Sequence, residues 1–280
     1  MWHRGLPAIC LLGVLAAVGA VPAAAAPTAR ADLVQARSLY NQGQYDAALL
    51  AAAGAAGATS TMRDQALLVE GRAHLERYRQ KHDQADLAAA RDAFRTLDPA
   101  RLDAGDQLQL LIGLAESLYL DELYGPAADL FALALDDPAP IAAAGHDVLL
   151  DWWASALERE AGLQAGGRGA ALYRRITARM RVETRIDPRS AVAAYWAVAA
   201  ARGRGDLTDA WNGAIAAWVR APLMGSQASS LRSDLDQLMT AGIIPERARE
   251  LATTPKDEAA TAADLRAEWD VVKKDWGGGN

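Results

Sequence analysis

LYNQGQYDAAL, residues 39–49, and RGRGDLTDAW, residues 202–211, are the two stretches on which the fold turns. Each runs from a Gly through a polar and an apolar residue to an Ala a few places on: Gly43, Gln44, Tyr45 and Ala48 in one, Gly205, Asp206, Leu207 and Ala210 in the other. A glycine without Cβ ends a helix in the left-handed conformation at little steric cost. Asp46 and Asp209 then enter the next helix in its first turn, where the partial positive charge of the helix end favours a carboxylate. The small Ala that follows lets the two helices approach closely. Both stretches therefore read as the joint of a helix–turn–helix pair.

Working outward, three windows share one pattern. In Ala29–Met62, Ala36 is followed by Leu39, Tyr40, Gly43, Tyr45 and Ala48. Leu108–Ile141 has Ala115, Leu118, Tyr119, Tyr124, Ala127, Phe131 and Ala134, closed by Pro138. Ala191–Met224 has Val198, Ala201, Gly205, Leu207, Ala210, Ala214 and Ala217, closed by Pro222. These windows resemble the tetratricopeptide repeat, a helix–turn–helix unit of about 34 residues. The aromatic usual near the start of that repeat is replaced here by Asp32, Leu111 and Ala194.

The intervals 63–107 and 142–190 each accommodate one more helix pair with a lengthened loop or helix. The first has periodic stretches at Ala66–Tyr78 and Leu87–Leu97, with Thr61 and Asp64 as a capping box. The second has Val148–Leu157 and Leu172–Met180 either side of a turn at Gly166, Gly167 and Gly169. Beyond Met224 the period is lost. Leu231, Leu235 and Leu238 mark a helix, Pro245 opens another, and Thr254, Pro255 and Asp257 start a last one. Its stripe, Leu265, Trp269, Val272 and Trp276, is spaced for one helical face. No strand-like alternation of useful length occurs. The expected fold is all-α: a right-handed α-solenoid of about five tetratricopeptide-like pairs over 29–224. Residues 225–280 then form a helical cap and tail over its exposed end.

The first 25 residues read as a signal peptide. His3 and Arg4 are followed by an uncharged run from Leu6 to Val21 and by small residues to Ala26, with cleavage expected after Ala25. A retained anchor is the alternative, since the run is nearly long enough to span a bilayer. No other uncharged stretch has that length. Cleavage places the protein in the periplasm or outside the cell and removes Cys10, the only cysteine, and with it any disulfide or thiolate chemistry.

Composition sets the remaining bounds. The chain is 51% hydrophobic but holds only two Phe, so its apolar content is mainly the helix-forming Ala and Leu. Net charge is −6, and with no basic stripe evident, neither nucleic acid nor anionic lipid is an expected partner. His74, His82 and His146 have neither the spacing nor the neighbours of a metal site or nucleophile relay. Glu116-Ser117-Leu118-Tyr119 resembles the opening motif of lytic transglycosylases. The Gly-Leu-Met-Gln motif of that family is missing, so Glu116 reads as a surface charge within a repeat helix. Trp211 and Trp218, seven apart, read as core. Trp152 and Trp153 are adjacent, so one of them is expected to be partly exposed.

The expected function is non-catalytic and cofactor-free: an exported scaffold that binds a partner protein or extended peptide. A cell-wall glycan binder, or an accessory to an envelope enzyme, is the alternative suggested by the tryptophans. The tetratricopeptide resemblance implies a ligand on the concave face lined by first helices. Its offsets select Arg37, Tyr40 and Asn41 in the first window, Glu116 and Tyr119 in the third unit, and Tyr195 and Arg202 in the fifth.

Overall fold

The computed structural model describes residues 27–277 except 58, 140, 165 and 166. The signal-peptide reading lies outside the described residues. Among those described, the chain is helical throughout and contains no strand. Helices α1 (Pro27–Asn41) and α2 (Tyr45–Ala55) pack together, as do α3 (Ser60–Lys81) with α4 (Gln84–Thr96) and α5 (Ala104–Leu120) with α6 (Tyr124–Leu135). Next come α7 (Ala143–Leu163), α8 (Arg168–Ile186), α9 (Ala191–Gly203) and α10 (Leu207–Arg220). The last part holds α11 (Ala228–Leu238), α12 (Ile244–Leu251) and α13 (Glu258–Gly277). Two compact units divide between Ala156 and Leu157, within α7.

The joints of three pairs are built alike. Gly43 (φ 73°), Glu122 (φ 62°) and Gly205 (φ 78°) all lie in the left-handed region. At each, that residue's N–H donates to the carbonyl three back: Tyr40 at 2.9 Å, Tyr119 at 3.0 Å and Arg202 at 2.8 Å. The next N–H reaches the carbonyl five back: Leu39 at 2.9 Å, Leu118 at 2.9 Å and Ala201 at 3.0 Å. These two bonds satisfy helix-end carbonyls that would otherwise lack partners. Between α5 and α6 the joint falls at 121–123, where Glu122 and not a glycine takes the left-handed position.

In the first unit the core is thin and tightly fitted. Leu33 and Ala36 of α1 meet Ala52 and Ala55 of α2 and Ala66 and Val69 of α3. Phe94 of α4 fills the space left by two missing side chains: a Cβ on Gly71 would lie 2.3 Å from its ring, and one on Gly113 would lie 2.6 Å from it. The cap of α3 is Thr59, whose hydroxyl accepts from the Met62 amide at 3.2 Å. Asp64, expected in a capping box with Thr61, is buried and binds Arg101 at 3.1 Å. Trp152 and Trp153 are both buried, against the expectation that one would reach solvent. α7 is enclosed on more than one side, so adjacent positions both find cover.

In the second unit, α9 to α13 share a single core that includes Trp211, Trp218, Leu235, Ile243, Leu265 and Trp269. The sequence break at 224/225 falls inside it. Trp269 is fully buried against Trp218, ring centroids 5.1 Å apart, and its indole N–H donates to Asp236 at 2.7 Å. The apolar stripe of α13 is shorter than its spacing suggests: Leu265 and Trp269 are buried, Val272 is half-buried and Trp276 is 58% exposed.

A glutamate in a left-handed turn carries backbone strain of about 1–2 kcal/mol that glycine does not. Glu122→Gly is expected to stabilise the protein by about 1 kcal/mol, net of the entropy glycine adds to the unfolded chain. Thermal unfolding should register this as a rise of roughly 2–4 °C; a fall in melting temperature would contradict the shared turn geometry.

Candidate functional site

In the first unit, the polar side chains of α1, α3, α5 and α7 face one another. Arg72 of α3 is the centre. Its Nε and Nη2 donate to the Tyr40 hydroxyl at 3.2 and 3.1 Å, and its Nη1 donates to the Gln109 side chain at 2.8 Å. Glu116 of α5 lies 3.6 Å from Arg72. One and two turns along α3, Glu76 pairs with Arg79 at 3.0 Å, and the Arg79 guanidinium lies 5.2 Å from the Trp152 ring centre. Trp152 in turn meets Tyr119 edge-on at 4.8 Å, and the Tyr119 hydroxyl bonds with Ser155 at 2.9 Å.

This arrangement follows from spacing. Arg72, Glu76 and Arg79 recur at intervals of four and three, which puts them on one face of α3. Arg72, Glu76 and Glu116 are all buried, and Glu116 is only 1% exposed. It is not the surface charge its sequence context suggests. Burial pushes its carboxyl above the usual glutamate range; Arg72 opposes that shift and Glu76 adds to it. Burial likewise raises the Tyr40 hydroxyl. For Arg72, burial pulls downward, but Tyr40 and Glu116 reverse the sign and hold it charged. Glu116 Oε1 has no hydrogen-bond partner, so the pair is held by charge more than by geometry.

The residues selected by repeat offsets therefore separate. Glu116 and Tyr119 (5% exposed) lie inside the network. Tyr40 is half-buried with its hydroxyl turned inward. Arg37 and Asn41 remain at the rim, Arg37 half-buried and bound to Asp106 at 2.7 Å, Asn41 exposed. Gln65 also donates to Asp106, at 3.0 Å. In the second unit Tyr195 is half-buried against the Trp196 edge. Arg202 forms a two-pronged pair with Glu246, Nη2 to Oε1 at 2.6 Å and Nε to Oε2 at 3.1 Å. It lies over Gly242, in a π-helical turn at Met239–Ile243, where a Cβ would come within 2.6 Å of the guanidinium.

An open pocket of about 280 Å³ lies at the start of α2, lined by Gly43, Asp46, Arg77 and Lys81 among others. Asp46 pairs there with Arg77 at 3.2 Å and Lys81 at 3.7 Å, and Arg77 also reaches Asp86 at 3.3 Å, so the cations of the pocket are already paired. His74 contacts Asp86 at 2.7 Å, and no group of three or more metal-binding side chains occurs among the described residues.

One feature escaped the sequence reading. Residues 168–189 hold seven Arg against one Glu and one Asp. On α8 the exposed positions include Arg174, Arg175, Arg181 and Arg185, with Arg189 exposed just beyond. A basic stripe is thus present, contrary to the expectation drawn from net charge, because the acidic surplus lies elsewhere in the chain.

Comparison of the chain with family models, with curated proteins and with solved structures found no match.

Removing one member of a buried charge pair leaves the other uncompensated, at a cost of about 3–5 kcal/mol. Arg72→Met is expected to lower stability by that amount in urea unfolding. A second measurement concerns pH. A carboxyl whose folded-state pKa is raised contributes stability that is present at low pH and is lost as pH rises through the raised value. The stability of the wild type relative to Glu116→Gln should therefore fall as pH climbs above the usual glutamate range. A difference that grows in the wild type's favour would mean Glu116 is better compensated than its geometry indicates.

Proposed function

We propose that this protein is an exported, non-catalytic scaffold of the tetratricopeptide-like kind, a right-handed α-solenoid that binds a partner protein or extended peptide. The observation that carries this reading is the recurrence of one helix–turn–helix joint at Gly43, Glu122 and Gly205, with first helices bringing Arg and Tyr side chains together. Glu116, the strongest candidate for an acid catalyst, is enclosed and ion-paired and so lacks substrate access.

Burial moves the proposed contact from the whole row to its accessible members. Arg37, Asn41 and the edge of Tyr40 form the rim in the first unit; Tyr195 and Arg202 are the corresponding positions in the second. Arg and Tyr suit recognition because each covers a large area and keeps a hydrogen-bonding end. The rigid network beneath limits the entropy lost when a ligand is ordered on that rim. The glycan-binding alternative draws less support. It requires exposed aromatic faces, and among the described tryptophans Trp276 alone is exposed, while Trp152, Trp153, Trp196, Trp211, Trp218 and Trp269 are buried.

The test is recovery of partners from the native cell envelope with the wild type and with Arg37→Ala/Arg202→Ala. Arg202 sits in a partly exposed pair, whose loss costs about 0–1 kcal/mol; loss of Arg37 leaves the buried Asp106 with Gln65 as a donor, so the helical spectrum of the variant is measured alongside. Partner recovery is expected to drop about tenfold or more, as removal of recognition arginines does. Equal recovery with an intact helical spectrum would place the binding surface elsewhere.

A further inference from the structure

The exposed face of α8 is strongly basic. Arg174, Arg181 and Arg185 fall at intervals of seven and four, along one line of the helix about 16 Å long. They pair with no acid among the described residues. Beside this line runs a second one, Ala171, Arg175, Ala178, Val182 (40% exposed) and Ile186 (75% exposed), aliphatic but for Arg175. The opposite side of the helix, with Ile176, Met180 and Glu183, is buried. Arg179, next to the buried side, is already committed to Glu183 at 2.5 Å. Arg174, Arg181 and Arg185 are therefore not needed to hold the fold.

We infer that this face of α8 docks on an anionic phospholipid surface. Charge complementarity selects an anionic occupant, and the cations are all arginine, whose planar fork binds phosphate oxygens two at a time. The aliphatic line argues for lipid over an acidic protein. Val182 and Ile186 are exposed beside the arginines, and a fluid headgroup layer can admit them to its acyl boundary while the guanidinium groups stay at the phosphates. No membrane span is required, and no described helix is long and apolar enough to be one.

The experiment is vesicle flotation with the full chain. One set of vesicles is pure phosphatidylcholine; the other contains phosphatidylglycerol at about one-third of the lipid, enough to give a negative surface potential. The variant is Arg174→Gln/Arg181→Gln/Arg185→Gln, at exposed positions that leave the core untouched. Each arginine near an anionic surface contributes about a fivefold gain in partition, so the variant should bind phosphatidylglycerol vesicles on the order of a hundredfold more weakly. Binding of the wild type should also fall steeply with added salt. The apolar run from Leu6 to Val21 is common to both proteins, so the difference between them isolates α8. Equal binding of wild type and variant, or no preference of the wild type for phosphatidylglycerol, would overturn the inference. So would release of the wild type from these vesicles by no more than an equimolar amount of poly-glutamate, which would assign the face to an acidic protein.

Discussion

Burying the Arg72 guanidinium constrains the rest of the first unit. A cation taken out of water needs both countercharge and hydrogen-bond acceptors. Here the acceptors come from α1, through Tyr40, and from α5, through Gln109, while the countercharge comes from Glu116. Once those three elements are fixed around one side chain, their relative rotation is fixed too. Glu76 and Arg79 extend the same face of α3 to Trp152, so α7 is drawn in by a cation over an aromatic ring. The first helices thus share a polar network in addition to their apolar contacts, in which Ala36 of α1 joins Ala66 and Val69 of α3, and Leu68 and Leu75 of α3 share a cluster with Leu110 of α5.

The two kinds of contact behave differently. Apolar packing is short-range and unforgiving: the Phe94 ring of α4 rests where Gly71 of α3 and Gly113 of α5 leave no side chain. The polar network among the first helices depends for its strength on every group being satisfied. Glu116 is the weak member, with one oxygen unpartnered and a carboxyl that burial pushes toward the neutral form. The second unit solves a related problem differently. Arg202 stays partly exposed and takes a two-pronged carboxylate from α12, across a glycine in a π-helical turn. A surface pair of this kind contributes less stability than a buried one, but it leaves the guanidinium within reach of a ligand.

Charge is distributed just as unevenly. The chain as a whole is acidic, yet α8 presents a line of arginines whose neighbours on the same face are aliphatic but for Arg175. A total over the chain cannot register a helix on which Arg174, Arg181 and Arg185 share one exposed line. The line becomes visible only when the buried side of α8, Ile176 and Met180, fixes which positions point outward.

The sequence by itself determined the helical class, the pairing of neighbouring helices and the joints at Gly43 and Gly205. All of these are local: helix propensity, capping and the left-handed turn are set by residues within a few positions of one another. It also placed Trp211 and Trp218 on one buried face, because their spacing of seven is itself a helical signal. What the tertiary structure decided is which polar residues are enclosed. Glu116 and Arg72 are 44 positions apart, and nothing in either neighbourhood announces that α3 and α5 will bring them together. Trp152 and Trp153 are both covered for the same reason, and Thr59 displaces Thr61 as the cap because α3 begins at Ser60, two residues before a Thr61 cap would start it. Burial is a property of neighbours distant in the chain, and a periodic pattern records only that a face is apolar, not that a polar face has found a partner of opposite charge.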